Sequence, residues 1–423
     1  MADELTTSEL SREHLALLFR LTKIFNSSLN LETVLNQVMD ETIAAVRAER
    51  GFIMLRDAEG SLEFQTARGL SRATIDHPEF EISRSVVETV ARTGEAVFTS
   101  DAQTDVRFLR RTSIIGLGLR SILCVPLQVM DIVTGVMYVD NRLQAGIFKE
   151  ADLELLVSIA SSAAVAIENA RLYQVALEKA RMEKELMMAR TVQTSLLPPE
   201  MPRLPGWEFA ARWEPAREVA GDFYDFIPSS DGKLSIVVGD VTDKGLPAAL
   251  FMVFARNIVR ETAGRSSAPG DVLTQRNRRI CQESSQGLYI TLIYASLQPE
   301  TGEVAYANAG HNPGLHYQAE TQTIALLMPT GMPLGIDDEA VYTARDLHLK
   351  PGDVLLLYTD GVTEAMNPAG EEFGLEQLKS VLQANGQKPA GEIIAEILRV
   401  VENFTGDGAM FDDTTLVIFK RYS

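Results

Sequence analysis

The chain has 423 residues, which is too long for one ordinary hydrophobic core and predicts two domains. Hydrophobic residues make up 46% of the sequence and charged residues 23%, a composition typical of globular proteins rather than of disordered ones. The formal net charge of -19 argues against nucleic acid as the main partner, because binding to phosphate backbones depends on lysine and arginine.

Neither a membrane anchor nor a disulfide framework is visible in the sequence. No apolar run approaches the roughly 18 residues of a membrane-spanning helix. The first residues, which include Asp3 and Glu4, are unlike a secretory signal. Cys124 and Cys281 lie far apart in the sequence, which suits a reducing compartment. We therefore expect a soluble, cytoplasmic protein.

The first 165 residues alternate between predicted helices and predicted strands. From Leu15 to Val46 apolar residues recur at helical spacing. Shorter apolar segments then predict strands at residues 52–55, 62–66, 96–99, 121–127 and 133–139. Residues 85–93 are predicted to form a helix that Gly94 ends. This order predicts one α+β sheet domain within residues 1–165.

A long linker helix is predicted over residues 151–197. The chain has no proline or glycine from Ala151 until Pro198 and Pro199, which stop the helix. Eight apolar residues alternate steps of three and four, as in the seam of a coiled coil: Leu156, Ile159, Ala163, Ala166, Ala170, Tyr173, Leu177 and Ala180. Lys184 interrupts this seam. The pattern predicts a parallel homodimer formed through the helix.

Strands dominate again in the second domain, which is predicted over residues 203–423 after a proline-rich segment. The predicted strands are residues 207–213, 223–227, 234–240, 288–297 and 304–309, with hairpin turns at 229–232 and 299–302. Helices are predicted at residues 247–263, 375–384 and 392–404. An antiparallel sandwich of sheets flanked by helices fits this order.

Acidic residues stand at predicted strand ends in four places of the second domain. They are Asp222 with Asp225, Asp240, Asp360, and Asp412 with Asp413. Asp240 and Asp360 each follow an almost wholly apolar run, so each carboxylate emerges at the end of a buried strand. Carboxylates that met in space would repel one another, and a pair of divalent cations would resolve that conflict. Oxygen ligands favour Mg2+ or Mn2+ over Zn2+, although any one of these acids alone would suit a turn.

Four stretches of the first domain carry a family pattern: ERGFIMLRD, TGEAVFTSDA, RSILCVPLQVMDIVTGVMYVDN and FKEADLELL. They resemble a GAF domain, a family whose members sense small molecules or act as dimerising spacers. The nucleotide-binding signature of some members fits partly at Asn141, Arg142, Phe148 and Asp152, but Leu153 stands where its last acid belongs. The resemblance implies a sensor domain and leaves its ligand or regulatory partner unknown.

Six segments between residues 189 and 419 carry a more specific pattern: ARTVQTSLLPPEMP, PAREVAGDFYDF, GDVTDKGLPAAL, YANAGHNP, LYTDGVTEA and DDTTLVIF. Their order is similar to that of the SpoIIE-like branch of the PPM family of metal-dependent protein phosphatases. The resemblance implies an α-β-β-α sandwich and the hydrolysis of phosphoserine or phosphothreonine in a protein. By the same resemblance the substrate would be a phosphorylated anti-sigma-factor antagonist of a bacterial partner-switching system, or a similar regulator.

The resemblance also assigns roles to single residues. The family's four metal-binding and catalytic aspartates correspond here to Asp222, Asp240, Asp360 and Asp412. The carbonyl of Val241 is an additional ligand, and Arg217 stands where related enzymes place a phosphate-binding arginine. Two divalent cations, Mn2+ or Mg2+, would activate water for in-line attack on phosphorus.

Three residues depart from the family pattern or leave a role open. Ala220 stands in place of a glycine, which is tolerated unless the backbone needs a positive φ. Asp243 replaces a more common glycine and is expected to cap the helix that starts near Pro247. His311 would serve either as an acid or as a structural residue of a turn, so the general acid stays unassigned.

Other classes of function compete with a phosphatase. A sensor histidine kinase needs a phosphoacceptor histidine on the linker helix, but no histidine occurs between His77 and His311. A diguanylate cyclase would explain AGDFYD but neither TDG nor DDTT. Retention of all four acids disfavours a catalytically weak GAF-containing scaffold. The sequence thus predicts a phosphatase regulated through its GAF domain, with residues 182–204 transmitting the signal.

Overall fold

A computed structural model describes residues 15–57, 59–69, 71–75, 82–105, 119–261, 268–283, 287–406 and 412–422. The chain divides into two units, residues 1–181 and 182–423. Among the described helices none is both long enough and apolar enough to cross a membrane.

The first unit is built on a five-stranded antiparallel sheet. Its elements are α1 (residues 15–25), α2 (Leu31–Val46), β1 (Arg50–Arg56), β2 (Leu62–Gly69), α3 (Arg84–Thr93), β3 (Val97–Thr99), β4 (Ser121–Val129), β5 (Ile132–Asn141) and the first part of α4 (Glu150–Leu196). The strand order is β2-β1-β5-β4-β3. Helix α3 ends where Gly94 adopts a φ of 71°, as the sequence predicts.

Both faces of this sheet are covered, which is why β1 is an almost continuous apolar run. Ile53 and Leu55 point into the core that contains residues of α2 and α4. Phe52 and Met54 point to the opposite face and pack with residues of α3. The alternation of side chains along one strand therefore supplies two cores.

The residues of the partial nucleotide-binding signature are engaged in local structure. The Asn141 side chain accepts hydrogen bonds from the main-chain N–H groups of Leu143 and Gln144. Arg142 forms an ion pair with Glu49, at 3.2 Å. Asp152 accepts a hydrogen bond from the N–H of Lys149 at the start of α4. These contacts organise the end of β5 and the helix that follows.

Helix α4 is continuous over 47 residues, as the absence of proline and glycine predicts. Its predicted seam is partly wrong, because five of the eight seam residues are buried in the core of the first unit: Leu156, Ile159, Ala163, Ala166 and Ala170. Tyr173 and Leu177 of that seam remain exposed. On the opposite face Val165, Leu172 and Val175 are 48%, 57% and 57% exposed. A homodimer through α4 stays a prediction, and these side chains are the apolar ones available for it.

The second unit contains two five-stranded antiparallel sheets with helices on their outer faces. Its strands are β6 (Trp207–Glu214), β7 (Phe223–Pro228), β8 (Leu234–Val241), β9 (Ile290–Gln298), β10 (Glu303–Ala309), β11 (Gly314–Gln318), β12 (Thr323–Leu327), β13 (Arg345–His348), β14 (Val354–Tyr358) and β15 (Thr414–Arg421). Its helices are α5 (Leu246–Arg260), α6 (Pro269–Glu283), α7 (Gly374–Asn385), α8 (Ala390–Thr405) and a short 3-10 turn at Asp360–Val362.

The two sheets stack as the middle layers of the predicted α-β-β-α sandwich. One sheet has the order β13-β10-β9-β8-β7 and the other the order β12-β11-β14-β15-β6. Leu355 and Leu357 of β14 pack with residues of the first sheet, whereas Leu356 packs with residues of α7 and α8. Because both of its faces are covered, β14 is buried at every position.

Several elements of the second unit differ from the prediction. Helix α6 and strands β11, β12 and β13 were not predicted from the sequence. Helix α5 ends at Arg260 rather than at residue 263, and residues 262 and 263 lie outside the described ranges. The predicted strands β7, β8, β9 and β10 are confirmed to within two residues.

Candidate active site

The four predicted aspartates lie at one end of the sandwich, where strands of both sheets begin or end. Asp222 immediately precedes β7, and Asp240 lies near the end of its antiparallel neighbour β8. Asp360 follows β14, and Asp412 lies just before the adjacent antiparallel strand β15. Antiparallel pairing places the start of one strand beside the end of its neighbour, so each sheet brings two acids to the same end of its strands.

Asp222 connects the two sheets. Its carboxylate is 1% exposed, and its Oδ2 accepts hydrogen bonds from the hydroxyl groups of Thr359, at 2.7 Å, and Thr415, at 2.6 Å. Both threonines lie at strand ends of the second sheet, since Thr359 directly follows β14 and Thr415 is the second residue of β15. The main-chain oxygen of Asp222 accepts a further hydrogen bond from the indole N–H of Trp213. Two hydroxyl donors on one oxygen fix the orientation of the carboxylate.

The aspartates act on one another electrostatically. Burial and the charges of Asp240 and Asp413 hold the pKa of Asp222 well above its usual range. Burial, Asp360 and Asp412 raise the pKa of Asp240 to about 8. Burial, with Glu364 and Asp412, raises the pKa of Asp360 to about 6. Like charges held together in a partly dry site produce such shifts, and a divalent cation among them would reverse the shifts.

The donor chemistry of this cluster fits Mg2+ or Mn2+, because its groups are carboxylate oxygens. The cluster is nevertheless not a closed coordination shell: in the described ranges no group of three or more Asp, Glu, His or Cys side chains is arranged to hold a metal ion. Asp412 points its Oδ2 at the ammonium of Lys244, at 2.9 Å. Metal binding by the four aspartates and by the carbonyl of Val241 therefore stays a prediction.

Asp413, for which the sequence suggested no separate role, holds the loop that leads to Asp222. Its Oδ1 accepts a hydrogen bond from the N–H of Ala216 and its Oδ2 one from the N–H of Gly221, both at 2.8 Å. Thr359 and Thr415 were also missed. Their sequence signal is weak: Thr359 is next to Asp360 in TDG, and Thr415 is two residues after Asp413 in DDTT, with no periodic pattern.

Arg217 lies on this loop with an exposed side chain. Throughout the described part of the chain it forms no hydrogen bond or ion pair. The structure therefore adds no contact that ties Arg217 to the acids, and its role in binding phosphate stays a prediction. The cation that does contact the cluster is Lys244.

The expected cap by Asp243 is wrong. Helix α5 begins at Leu246 with Gly245 as its N-cap residue, and no side chain accepts a capping hydrogen bond there. Asp243 instead adopts a φ of 76° and accepts a hydrogen bond from the N–H of Lys244. Ala220, by contrast, is not among the described residues with positive φ, which agrees with its toleration in place of glycine.

His311 has the surroundings of a structural residue rather than of an acid. It is 3% exposed, its N–H donates to the side chain of Asn308, and its Nδ1 lies 2.7 Å from the hydroxyl of Thr291. Burial lowers the pKa of His311 to about 4, so the ring is neutral at pH 7.

Gly361 allows the TDG segment to approach the DDTT segment closely. A Cβ atom at this position would overlap the main-chain oxygen of Asp413. We expect Gly361→Ala to destabilise the second unit by about 2 kcal/mol, because the obstacle is backbone that side-chain rotation cannot remove. Trp207 and Trp213 are the two tryptophans of the chain, so intrinsic fluorescence during urea denaturation reports this unit.

The control for this substitution is Gly391→Ala. A Cβ atom at Gly391, in the first turn of α8, would meet nothing within 4 Å. This variant should match or slightly exceed the stability of the wild type. Equal stability of both variants would show that the close approach at Gly361 has no energetic consequence.

The buried His311 predicts a specific pH dependence. The unfolded chain binds a proton near pH 6.5, whereas the folded chain binds it only near pH 4, so protonation favours unfolding as the pH falls through this window. Between pH 7 and pH 5 the wild type should lose about 2 kcal/mol relative to His311→Gln, as calculated from these two values. Urea titrations in EDTA, followed by tryptophan fluorescence, measure this difference. An unchanged difference at both pH values would mean that the ring is not buried as a neutral group.

Two family models match the chain: the GAF domain over residues 30–167 and Stage II sporulation protein E (SpoIIE) over residues 230–422. Phosphoserine phosphatase RsbU of Bacillus subtilis is 30% identical over 243 residues, which cover 57% of this chain and 71% of RsbU. Protein IcfG of Synechocystis is 31% identical over 265 residues, which cover 56% of this chain and 41% of IcfG. The chain thus spans less than half the length of IcfG.

A solved structure supports the fold of the second unit. The SiaA-PP2C domain of Pseudomonas aeruginosa matches with a TM-score of 0.52 at 21% identity, covering 58% of this chain and 99% of that domain. At this identity the likeness shows the fold alone. Together with the extent of the match to RsbU, the sandwich and the acids at its edge place this chain in the SpoIIE-type family of PPM phosphatases, with a GAF domain ahead of the phosphatase domain.

Proposed function

We propose that this protein is a metal-dependent serine/threonine protein phosphatase whose activity is controlled through its GAF domain. The observation that carries the proposal is a group of four aspartates at neighbouring strand ends of the two sheets. Burial and neighbouring carboxylates raise the pKa values of Asp222, Asp240 and Asp360, and the charge of Asp412 acts on Asp240 and Asp360. The match to RsbU supports phosphoserine as the reacting group. The same match favours a phosphatase over a cyclase, a histidine kinase or a catalytically weak scaffold.

The four aspartates and the carbonyl of Val241 would hold two divalent cations, Mn2+ or Mg2+. The chemistry that such a pair of ions supplies is the activation of water for in-line attack on phosphorus. The protein's part is to fix the carboxylates. Thr359 and Thr415 orient Asp222, and Asp413 holds the preceding loop. Ligands held in place by such partners bind metal more tightly than free ones.

The substrate would be a phosphorylated regulatory protein, such as an anti-sigma-factor antagonist of a partner-switching system. The support is the family to which the chain belongs and the name of RsbU as a phosphoserine phosphatase. We place the protein in the cytoplasm, where such a substrate would be met. Neither nucleic acid nor a membrane is proposed as a partner. The net charge of -19 argues against nucleic acid, because binding to phosphate backbones depends on lysine and arginine.

Regulation would pass through the end of α4. Gln193 is 3% exposed and accepts a hydrogen bond from the N–H of Ala220, at 3.2 Å. Its Nε2 donates to the carbonyl of Ala220, at 3.0 Å, and to that of Ala249 on α5, at 3.3 Å. Ala220 precedes Asp222 by two residues, so a shift of the helix end would alter the position of a proposed metal ligand.

In a homodimer formed through α4, a change in the packing of the two helices would shift the end of α4. The face with Val165, Leu172 and Val175 is exposed and apolar, and it faces away from the core of the first unit. Binding of a small molecule or a regulatory protein to the GAF domain would change how two such helices pack. The energetic coupling required is on the order of 1–3 kcal/mol, which is ordinary for allosteric proteins.

The reaction class is tested with Asp360→Asn. In the presence of Mn2+ the wild type should release phosphate from a phosphoserine peptide, and the variant should do so more than about 100-fold more slowly, because one charged ligand is lost. Asp346→Asn, an exposed position on β13, is the control and should retain the wild-type rate. Comparable rates in wild type and Asp360→Asn would rule out the proposed site.

The regulatory contact is tested with Gln193→Ala in the full-length chain. Loss of the three hydrogen bonds frees Ala220 and should change the Mn2+ concentration for half-maximal activity about 5-fold or more. Thr194→Ala is the control, because among the described residues the Thr194 hydroxyl bonds to Arg190 of its own helix and to no other group. An identical Mn2+ dependence in all three proteins would show that the helix end does not influence the metal site.

A further inference from the structure

Lys244 places a positive charge inside the acidic cluster. Its ammonium lies 2.9 Å from Oδ2 of Asp412, and the two side chains are 35% and 24% exposed. Its charge also acts on Asp360 and on Glu364, which lies one turn beyond Asp360. Lys244 thus lies among the groups proposed for catalysis, and the metal ligand set does not use it.

Both residues that flank Lys244 have a positive φ. Asp243 before it adopts a φ of 76° and Gly245 after it a φ of 85°. The left-handed conformation is uncommon for residues with a Cβ atom, and Asp is one of the few that adopt it. The segment is anchored at Thr242, whose N–H and hydroxyl both donate to the carbonyl of Tyr289. Non-glycine residues in the left-handed region are concentrated at functional sites.

We propose that Lys244 binds the phosphoryl group of the substrate, an inference that rests on the phosphatase function proposed above. A phosphate monoester carries close to two negative charges at neutral pH and is repelled by the carboxylates around the site. If Asp412 turned to a cation, its ion pair with Lys244 would break, and the ammonium would lie beside an anion bound to that cation. Lysine is a common phosphate ligand in that role.

The position of Lys244 also distinguishes it from Arg217. Arg217 is exposed on the loop before Asp222 and, over the described residues, has no ionic partner. Lys244 is in contact with one proposed metal ligand and within electrostatic reach of another. An anion bound at the cluster would therefore meet Lys244 without any rearrangement of the main chain.

Phosphate affinity in the full-length, Mg2+-loaded protein tests this role. Calorimetric titration with inorganic phosphate and KM for a phosphoserine peptide are compared among the wild type, Lys244→Ala and Lys244→Arg. Removal of the ammonium should weaken phosphate binding and raise KM about tenfold or more, with kcat changed less. The arginine variant should recover most of the affinity, because it keeps the charge.

Lys379→Ala is the matched control. Lys379 forms an ion pair of the same length, 2.9 Å, with Glu376 at a similar exposure of 28%, but on the surface of α7. It should leave the phosphate affinity and KM unchanged. Mg2+ affinity, measured by separate calorimetric titration of each metal-free protein with Mg2+, separates the proposed role from support of the metal site.

Unchanged phosphate affinity in Lys244→Ala would overturn the proposal. The proposal would also be overturned if a loss of Mg2+ affinity in Lys244→Ala accounted for the whole loss of phosphate affinity. Absence of turnover in the wild type would instead contradict the proposed function. In that case a tenfold loss of phosphate affinity in Lys244→Ala would still support Lys244 as a phosphate ligand.

Discussion

The carboxylate of Asp222 joins the two sheets of the second unit and is the contact on which the proposed site depends. Asp222 lies at the start of a strand of one sheet. Thr359 and Thr415, whose hydroxyl groups donate to its Oδ2, lie at strand ends of the other sheet. A buried carboxylate without partners would be strongly unfavourable, so these hydroxyl groups stabilise the closed sandwich around it. The same two bonds fix the direction of the remaining oxygen, so closing the fold and positioning a proposed metal ligand are one event.

Several carboxylates held close together at the strand ends lower the stability of the folded, metal-free chain. Burial and mutual repulsion raise the pKa values of Asp222, Asp240 and Asp360, so folding of the metal-free chain favours their protonated forms. Lys244 offsets part of the charge through its ion pair with Asp412. Cations that bind the folded chain but not the unfolded one would stabilise it by mass action. Stability and activity of the second unit would then depend on the same ions.

The parts of the fold that the sequence predicted well are those with a clear hydrophobic pattern. Strands β8 and β9 are nearly continuous apolar runs and were located correctly. Helix α6 was missed because its sequence, PGDVLTQRNRRICQE, is mostly polar and buries a narrow stripe around Val272, Leu273 and Ile280. The seam of α4 was misassigned because a helix packed on its own domain and a helix in a coiled coil share the same spacing.

For the site, strand ends indicated where the acids would lie, but not which groups would hold them. Contacts such as Thr359 to Asp222 join residues 137 positions apart and leave no periodic trace in the sequence. The conformation of Asp243 was missed for a related reason. Its short polar side chain suits a helix cap, and only the folded loop shows that the position requires a positive φ instead.

The packing around Gly221 explains why a helix end would influence the metal site. Gly221 lies between Ala220, which Gln193 holds, and Asp222. Its N–H is bound to Asp413, and a Cβ atom added to it would come 3.0 Å from the carbonyl oxygen of Val241. We therefore expect a displacement of Ala220 to shift Asp222, Asp413 or Val241 in turn. Asp222 and Val241 are proposed metal ligands, and Asp413 holds the loop that leads to Asp222, so the regulatory proposal requires only a small motion of α4.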